Sequence, residues 1–531
     1  MLGWAAAAVG ILGIVSAVTP EIAHRFEFVS GWLPPGTPRV ARIAALVFGL
    51  ALVWLSRSLA RRRRRAWQLA VAFVVGIAVA HLAKGLDVEE ASVSVLLLAA
   101  LVRYRSSFDV PGDPESVRPL IGTLSLIAGA GAAVLVVESR GWLLPERVEE
   151  LLGAAGFVLA FRALYLWLRP LSARVRQSVE ERRAAEAVVD TFGRDSLSFF
   201  TLRRDKSYVF SPTRNAFLAY RVVGGVALVS GDPVGDEAEV DDLLDDFRRM
   251  VRARGWRFAV LGASGTEVER YRRLGMRAIK IGDEAVLRPE QFSLEGRPIR
   301  KIRQSVSRLT KAGYRFRVVS VADADPALRC ELDAVSAAWR RNQPERGFSM
   351  AMDELYAPDT LFAVAEADGV VGGFLHLVPM PASGGYSLST MRRRPGTPNG
   401  LMEFLIVKTI AWAKERGAGE LSLNFCAFTD LLQLEGRGWR RLARRALLGL
   451  DRLFQLERLY AFNRKFFPEW RPRYLCVERL ADLPLVGFAY LHVESLLVPP
   501  GPWAKAVSTA PSGPPSSRAT KRTIFSAGRR S

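Results

Sequence analysis

The sequence predicts two structural parts, an α-helical polytopic membrane domain and an α/β cytoplasmic region that follows it. Three observations support this division. Apolar runs of near-membrane length recur up to residue 168, the composition becomes that of a soluble α/β protein from Thr191, and one pattern of hairpin, helix and strand occurs twice after that point. A chain of 531 residues with positive mean hydropathy is also too long for a single domain.

Six apolar segments predict a six-helix transmembrane domain at residues 1–170. Basic connections alternate with neutral or acidic ones, and by the positive-inside rule both ends of the domain lie in the cytoplasm. His81 and Arg162 lie near the ends of segments, and we interpret them as snorkelling side chains. The segments give little support for transport. The six apolar segments are residues 3–19, 41–56, 67–83, 92–102, 119–137 and 149–168, of which the fourth is short.

The formal net charge of +21 indicates a partner that carries many phosphates, such as RNA, an anionic lipid surface or both. The three cysteines are far apart, and the four histidines follow no metal-ligand spacing. We therefore expect buried, reduced thiols, and neither a disulfide framework, a metal site nor a bound cofactor.

A charged linker helix at 171–190 leads into the α/β region, where hairpin, helix and strand follow one another at 216–262 and again at 361–425. The repeat predicts tandem lobes of one type, a first lobe at 191–320 and a second lobe at 321–497. Their element order is that of acyl-transferring N-acetyltransferase-like folds. Residues 498–531 are rich in Pro, Ser and basic residues and predict a disordered tail.

Residues 385–426 predict an anion-binding site. This stretch begins as a strand, passes a basic turn over Met391 to Pro398 that contains Arg392 to Arg394, and enters a helix through Asn399. Unpaired N–H groups and the positive end of the helix dipole would then face the arginines. A solvated basic turn without function is the alternative interpretation.

At this point the α/β region resembles the synthase domain of the lysylphosphatidylglycerol synthases, the multiple peptide resistance factor family, which has tandem acetyltransferase-like (GNAT) folds. The resemblance covers about residues 190–485 and depends on the order of several motifs. These are Gly231-Asp232-Pro233, Gly282-Asp283-Glu284-Ala285, Phe292 to Gly296, Lys301-Ile302-Arg303, Met391 to Pro395, Asn399-Gly400, Asn463 to Phe466, Pro468, Trp470 and Arg473-Tyr474. Larger members of the family carry additional spans that act as a lipid flippase, so flipping is an open question here.

The resemblance implies transfer of an amino acid, lysine by the family name, from aminoacyl-tRNA to phosphatidylglycerol at the inner membrane face. The product would lower the negative surface charge and give resistance to cationic antimicrobial peptides. Two other functions stay open: acyl transfer with another donor or acceptor, and a non-catalytic membrane-anchored protein that binds lipid or RNA. The pyrophosphate loop expected of acetyl-coenzyme A binders is missing, which argues against a thioester donor.

Such a reaction requires a surface for tRNA, a groove for an anionic lipid and stabilisation of a tetrahedral oxyanion. A basic helix face that includes Lys301 and Arg303 suits tRNA, with a solvated face as the alternative. A basic amphipathic helix at 439–453 suits an anionic bilayer surface, although a helix that faces the core shows the same period.

The remaining site candidates are basic or polar residues for the oxyanion and the phosphates, and carboxylates for the amino group. The carboxylates are Asp232, Asp283, Glu284 and Asp430; the other candidates are Arg393, Arg394, Asn399, Lys465 and Arg473, of which we expect Arg394, Asn399 and Lys465, together with Asp232, to be catalytic. No general base is evident. Either one of these carboxylates or the vicinal hydroxyl of the tRNA would do that work.

Overall fold

The computed structural model describes residues 2–18, 37–85, 88–140, 145–340, 351–427 and 456–495, apart from residues 172, 174 and 176. Before residue 171, these residues form six α-helices, and every predicted apolar segment lies on one of them. Four of the helices are long and apolar enough to cross a membrane, whereas α1 and α4 have 17 and 16 residues. The helices are α1 (Leu2–Val18), α2 (Thr37–Leu59), α3 (Arg64–Gly85), α4 (Val88–Arg103), α5 (Val117–Ser139) and α6 (Glu146–Leu168).

Helices α1 to α4 pack as a bundle, and α5 and α6 form a pair whose end, at Trp167 and Leu168, packs against α2 and α3. Helix α1 crosses α2 closely at Gly10, where a Cβ atom would come within 2.6 Å of the Gly49 carbonyl oxygen, so a small residue is required. The side chain of His81 is 1% exposed, with Nδ1 at 3.4 Å from Ser16 Oγ and 3.8 Å from a Glu90 oxygen. His81 therefore packs inside the bundle, and the expectation that it snorkels is wrong.

The basic loop between α2 and α3 fastens the helices to the α/β region. Arg61 forms an ion pair of 2.8 Å with Asp482, which also binds Arg257 at 2.9 Å. Arg63 donates a hydrogen bond to the Leu168 carbonyl at the end of α6. The loop that the positive-inside rule assigns to the cytoplasm thus lies on the same side as the α/β region.

The α/β region is built on one mixed sheet that contains twelve strands among the described residues, in the order β1-β2-β3-β5-β12-β6-β11-β10-β9-β8-β7, with β4 paired to β2. The strands are β1 (Ser207–Phe210), β2 (Ala216–Val223), β3 (Val226–Ser230), β4 (Val234–Gly235), β5 (Arg257–Ser264), β6 (Arg277–Leu287), β7 (Arg315–Ser320), β8 (Leu361–Ala367), β9 (Val370–Met380), β10 (Gly385–Arg393), β11 (Leu421–Ala427) and β12 (Glu469–Val477). The helices that follow α6 are α7 (Val179–Phe192), α8 (Glu237–Ala253), α9 (Val268–Arg273), α10 (Arg300–Lys311), α11 (Pro326–Arg340), α12 (Leu401–Glu415), α13 (Leu456–Asn463) and α14 (Leu483–Val493).

The internal repeat appears as two parallel strand pairs, each joined by a helix. Strand β3 runs through α8 to β5, and β10 runs through α12 to β11. The strand that corresponds to β3 in the second copy of the repeat is therefore β10, whereas the similarity of the two hairpins in the sequence suggested β9. Helix α8 packs on one face of its strand pair through Leu244 and Phe247, and α12 packs similarly through Phe404 and Ile406.

The sheet shows no boundary at residue 320, where the first lobe is predicted to end. Strand β7 pairs with β8, and β12, the last strand in the described sequence, lies between β5 and β6. Strand β6 in turn pairs with β11, so the two predicted lobes share one continuous sheet. The limits of 191–320 and 321–497 stay predictions. The linker helix α7 begins at Val179, where Ser178 forms a capping box with Glu181.

Candidate active site

A buried ion network lies where β12 enters the sheet. Arg473 of β12 donates to Glu284 of β6, with Nε at 2.9 Å, and to Asp195 at 2.7 Å and Ser196 at 2.8 Å. Glu284 also accepts a hydrogen bond from the Ser422 hydroxyl of β11. The side chains of Arg473 and Glu284 are 5% and 3% exposed. One arginine thus joins three neighbouring strands and the segment before β1.

The residues of this network shift one another's pKa values. Burial alone would raise the pKa of Glu284, but the Arg473 guanidinium and hydrogen bonds from Ser196 and Ser422 hold it below its ordinary value. Burial lowers the pKa of Arg473, and the carboxylates of Asp195 and Glu284 more than offset that effect. Every contact of Arg473 given above is internal, so its predicted role in binding a substrate phosphate stays a prediction.

Asp232 lies where β3 and β5 separate. Gly231 turns the chain with a φ of 72°, and the Asp232 carboxylate accepts from the Ser264 N–H and from the Tyr271 hydroxyl, each at 2.9 Å. Burial, followed by the nearby Asp195 charge, raises the pKa of Asp232 to about 7. This carboxyl therefore changes its protonation state near neutral pH, which suits an acid or base.

Asp283 is buried and lies across from Cys426 in the pairing of β6 with β11. Its carboxylate forms an ion pair of 3.0 Å with Lys280. Cys426 accepts a hydrogen bond from Asn463, and burial raises the pKa of its thiol to about 12. Asp283 and the segment that carries Lys465 are thus linked through Cys426 and Asn463.

The parallel strands β10 and β11 also separate. They pair at Tyr386 with Leu421 and at Ser387 with Ser422, and then a register shift follows on each strand. Asn424, with a φ of 71°, bridges the gap by donating to the Leu388 carbonyl at 2.8 Å. The Ser387 hydroxyl is fully buried and has no hydrogen-bond partner among the described residues. Bulges and unpaired buried polar groups of this kind are typical of functional sites.

The first turn of α12 brings together two of the predicted catalytic residues. Asn399 is exposed, and its carbonyl accepts from Arg308 of α10. Gly400 follows with a φ of 96° and begins the helix without a side-chain cap. The Lys465 ammonium lies 2.8 Å from Glu403 in that first turn and remains 47% exposed. Lys465 and Asn399 thus share one basic, solvent-accessible helix start.

The three consecutive arginines do not gather at this helix start. Strand β10 continues to Arg393, which pairs with Gly373, so the turn begins only at Arg394. Arg392 is 4% exposed and stacks over Trp339, whereas Arg394 donates to the Val371 carbonyl and to Glu331 at 2.7 Å. The interpretation of a basic turn over 391–398 is wrong because the first three of its residues are strand.

Helix α10 presents the predicted basic face. Lys301 is exposed, and Arg303 is exposed while donating to the carbonyls of Leu294 and Gly296. A shallow groove of about 460 Å³ follows this face, lined by Arg303, Gln304, Ser307, Arg308 and Lys311. Since Arg308 also contacts Asn399, the groove leads to the start of α12.

Several residues of this region escaped the sequence interpretation. Asp195, Ser196, Ser387 and Ser422 carry no motif, and only their position in the sheet identifies them. Lys206 is fully buried, where Nζ donates to the Phe200 carbonyl at 2.7 Å and to Ser230 at 2.6 Å. Burial, followed by the neighbouring Arg203 charge, lowers its pKa to about 7. Asp430, the helix predicted at 439–453 and the tail at 498–531 lie outside the described residues.

Residues 186–477 match the sequence model of the family described as phosphatidylglycerol lysyltransferase, C-terminal. Among curated proteins, the lysylphosphatidylglycerol biosynthesis bifunctional protein LysX of Mycolicibacterium gilvum is 31% identical over 94% of this chain and 50% of its own length. The chain therefore spans about half the length of the curated relatives that it matches.

Two solved structures are similar to the α/β region. The C-terminal domain of a putative lysylphosphatidylglycerol synthetase from Agrobacterium fabrum is 28% identical, with a TM-score of 0.52 over 59% of this chain and 97% of that one. L-PGS from Bacillus licheniformis is 24% identical, with a TM-score of 0.55 over 61% of this chain and 99% of that one, and shows the shared fold. These similarities confirm the predicted fold class.

Proposed function

Because this chain belongs to the phosphatidylglycerol lysyltransferase family, we propose that it transfers an amino acid, most simply lysine, from aminoacyl-tRNA to phosphatidylglycerol. The observation that carries the proposal is the family match over 186–477, since this stretch includes the Asp232 carboxyl, the arginine network, the groove along α10 and the Lys465 site. The product would make the membrane surface less negative and reduce its attraction for cationic peptides.

In the proposed reaction, a glycerol hydroxyl of the lipid attacks the carbonyl carbon of the aminoacyl ester. The new ester bond forms, the bond to the tRNA ribose oxygen breaks, and the hydroxyl proton ends on that ribose oxygen. The exchange of one ester for another is nearly balanced in free energy, so positioning and stabilisation of the oxyanion must supply the rate.

Asp232 is suited to carry the proton. Its pKa of about 7 lets the carboxyl accept a proton from the lipid hydroxyl and return it to the leaving ribose oxygen at cytoplasmic pH. The vicinal hydroxyl of the tRNA is the alternative carrier. Asp283 and Glu284, next to each other on β6, are proposed to hold the cationic amino group, which would compete with their partners Lys280 and Arg473.

Lys465 and the start of α12 are proposed to hold the lipid phosphate or the oxyanion. The Lys465 ammonium is half-exposed, and uncapped N–H groups at the start of α12 add partial positive charge nearby. Arg393 and Arg394 are proposed to contribute through the shape of β10 and the turn after it, since Arg394 is bound to Glu331.

The groove along α10 is proposed to bind the phosphate backbone of the tRNA acceptor end. Its basic residues lie on one face of the helix and adjoin Asn399 through Arg308, so a bound RNA would lead toward Lys465. The ion pairs of Asp482 with Arg61 and Arg257 hold the α/β region against the ends of the membrane helices, where the lipid head groups would lie.

We propose that the helices cross the cell membrane several times with the α/β region in the cytoplasm.

Lipid mass spectrometry of cells with and without the protein tests the proposal. We expect aminoacylated phosphatidylglycerol only in cells that make the protein, and an at least tenfold loss, roughly, with Lys465→Ala, since removal of one stabilising donor typically costs that much or more. Lys414→Ala is the matched control, because Lys414 forms a similarly exposed pair with Glu290 near the far end of α12.

Loss of product in the control as well would contradict the role of Lys465. The absence of any aminoacylated lipid, together with retained RNA binding, would favour a non-catalytic protein that binds lipid or RNA.

A further inference from the structure

Arg162 is a charged residue inside an apolar span. It lies within the segment 150–168 of α6, six residues before Leu168, where the helix ends beside the α/β region. Six helical residues rise about 9 Å. Since one leaflet contributes about 15 Å of hydrocarbon, the Arg162 backbone lies below the head groups, with its guanidinium within reach of them.

The guanidinium is held between two helices. Arg162 Nε donates to the Thr123 hydroxyl of α5 at 3.3 Å, and Thr123 in turn donates to the Pro119 carbonyl at 2.8 Å. Thr123 is 5% exposed, whereas Arg162 is exposed. Within the described part of the chain, Arg162 has no acidic partner within ion-pair distance, and its exposed side chain leaves the two Nη groups open to a ligand.

Those surroundings are apolar. Only 11% of each of the two spans is buried inside the protein, namely 114–134, most of which lies in α5, and 150–168 in α6. Phe161 and Tyr165, which flank Arg162 on α6, are 62% and 60% exposed. The acyl chains of a lipid suit these side chains, but acyl chains offer the arginine charge no partner, which is costly in hydrocarbon.

We propose that Arg162 and Thr123 form a binding site for the phosphate of an anionic glycerophospholipid in the leaflet next to the α/β region. The phosphate would accept hydrogen bonds from the two Nη groups in the fork geometry that arginine offers, while Thr123 fixes the plane of the guanidinium. The acyl chains would lie against the exposed faces of α5 and α6. This inference does not depend on the transfer reaction, since it concerns binding alone.

Titration of the purified full-length protein with phosphatidylglycerol and, separately, phosphatidylcholine tests the site, with native mass spectrometry as the readout. We expect Arg162→Leu to weaken binding of the first phosphatidylglycerol about tenfold, as the loss of a charged hydrogen bond requires. Thr123→Val and Arg162→Lys should each weaken it by a smaller factor, because the first keeps the guanidinium and the second keeps the charge but loses the fork geometry. The control is Arg140→Leu, which removes an exposed arginine just after α5, beyond the span 114–134.

Equal phosphatidylglycerol binding by the native protein and Arg162→Leu would overturn the proposal, as would equal affinity for phosphatidylcholine. A changed oligomeric state of Arg162→Leu with unchanged lipid binding would assign this face to a contact between copies of the chain. Since leucine is more apolar than arginine, the span should still form, and thermal unfolding of each variant checks this. If Arg162→Leu does not accumulate, equal binding by Thr123→Val and Arg162→Lys to that of the native protein also overturns the proposal.

Discussion

Replacing Arg473 by methionine is expected to destabilise the α/β region strongly. The side chains of Arg473 and Glu284 are 5% and 3% exposed, so the substitution leaves the Glu284 carboxylate buried without its countercharge. Breaking such a pair by removing one partner typically costs about 3–5 kcal/mol. For a region of this size, that loss corresponds to a fall in melting temperature of about 5–10 °C.

The effect depends on pH in a defined direction. In the native protein the pKa of Glu284 is lowered, so its contribution to stability is present above the ordinary glutamate pKa and is lost as the pH falls. Without Arg473, burial raises the pKa of Glu284, and the carboxyl takes up a proton more easily. The difference between variant and native protein should therefore be large at about pH 8 and smaller at about pH 5.

Thermal unfolding of the full-length protein in detergent measures this difference. Arg471→Met is the matched control, because Arg471 lies on the same strand and its side chain is 34% exposed, so the loss of its ion pairs should cost at most about 1 kcal/mol. The double variant with Glu284→Gln should recover part of the loss, since it removes the stranded charge. Equal melting temperatures of Arg473→Met and Arg471→Met would show that the buried pair of Arg473 with Glu284 does not stabilise the α/β region.

Three further predictions concern single groups. Asp232 has a pKa of about 7 against an ordinary 3.8, so its contribution to stability falls as the pH rises through that window. The melting temperature of Asp232→Asn, relative to that of the native protein, should therefore be higher at about pH 8 than at about pH 5. The same difference at both pH values would contradict this prediction. Lys206 has a pKa of about 7 against an ordinary 10.5, so stability should rise between those pH values, and Lys206→Met should abolish the rise in melting curves. The pair Arg308→Gln and Lys311→Gln should weaken tRNA binding and reduce its dependence on salt, by roughly one phosphate contact each, and an unchanged salt slope would exclude the α10 groove.

Local patterns predicted the apolar helices and helix α12 correctly. The apolar period from Leu401 onward and Gly417 after it mark helix α12, which the structure gives as Leu401–Glu415. The six apolar segments are all helical, because their length and composition allow little else. Both signals come from residues that are close in the sequence.

Contacts between distant residues were not predictable in this way. Arg473 and Glu284 are 189 residues apart, and only the insertion of β12 between β5 and β6 brings them together. The motif Arg473-Tyr474 therefore suggested that Arg473 binds a substrate phosphate, although the Arg473 side chain is buried. Similarly, three arginines in a row read as a turn, because the pairing of Arg393 with Gly373 that extends β10 depends on a strand elsewhere.

In the candidate site, sequence motifs indicate some of the residues, whereas only the fold shows which residues lie close together. Lys465 and Asn399 belong to two separate sequence motifs, and the fold brings Lys465 to the first turn of α12, next to Asn399 in the chain, through Glu403. Ser387 and Ser422 carry no signal in the sequence, since a serine in a strand is common, and their register in the sheet identifies them.

In the proposed reaction, the α/β region transfers an amino acid from tRNA to a lipid. The most direct measurement incubates the purified full-length protein with lysyl-tRNA and vesicles of phosphatidylglycerol, and follows the lipid by mass spectrometry with and without ribonuclease. We expect lysylphosphatidylglycerol to form, and to disappear with ribonuclease treatment or with Lys465→Ala. Lipid product that persists after the tRNA is destroyed, or no product with lysyl-tRNA or any other aminoacyl-tRNA, would contradict the claim.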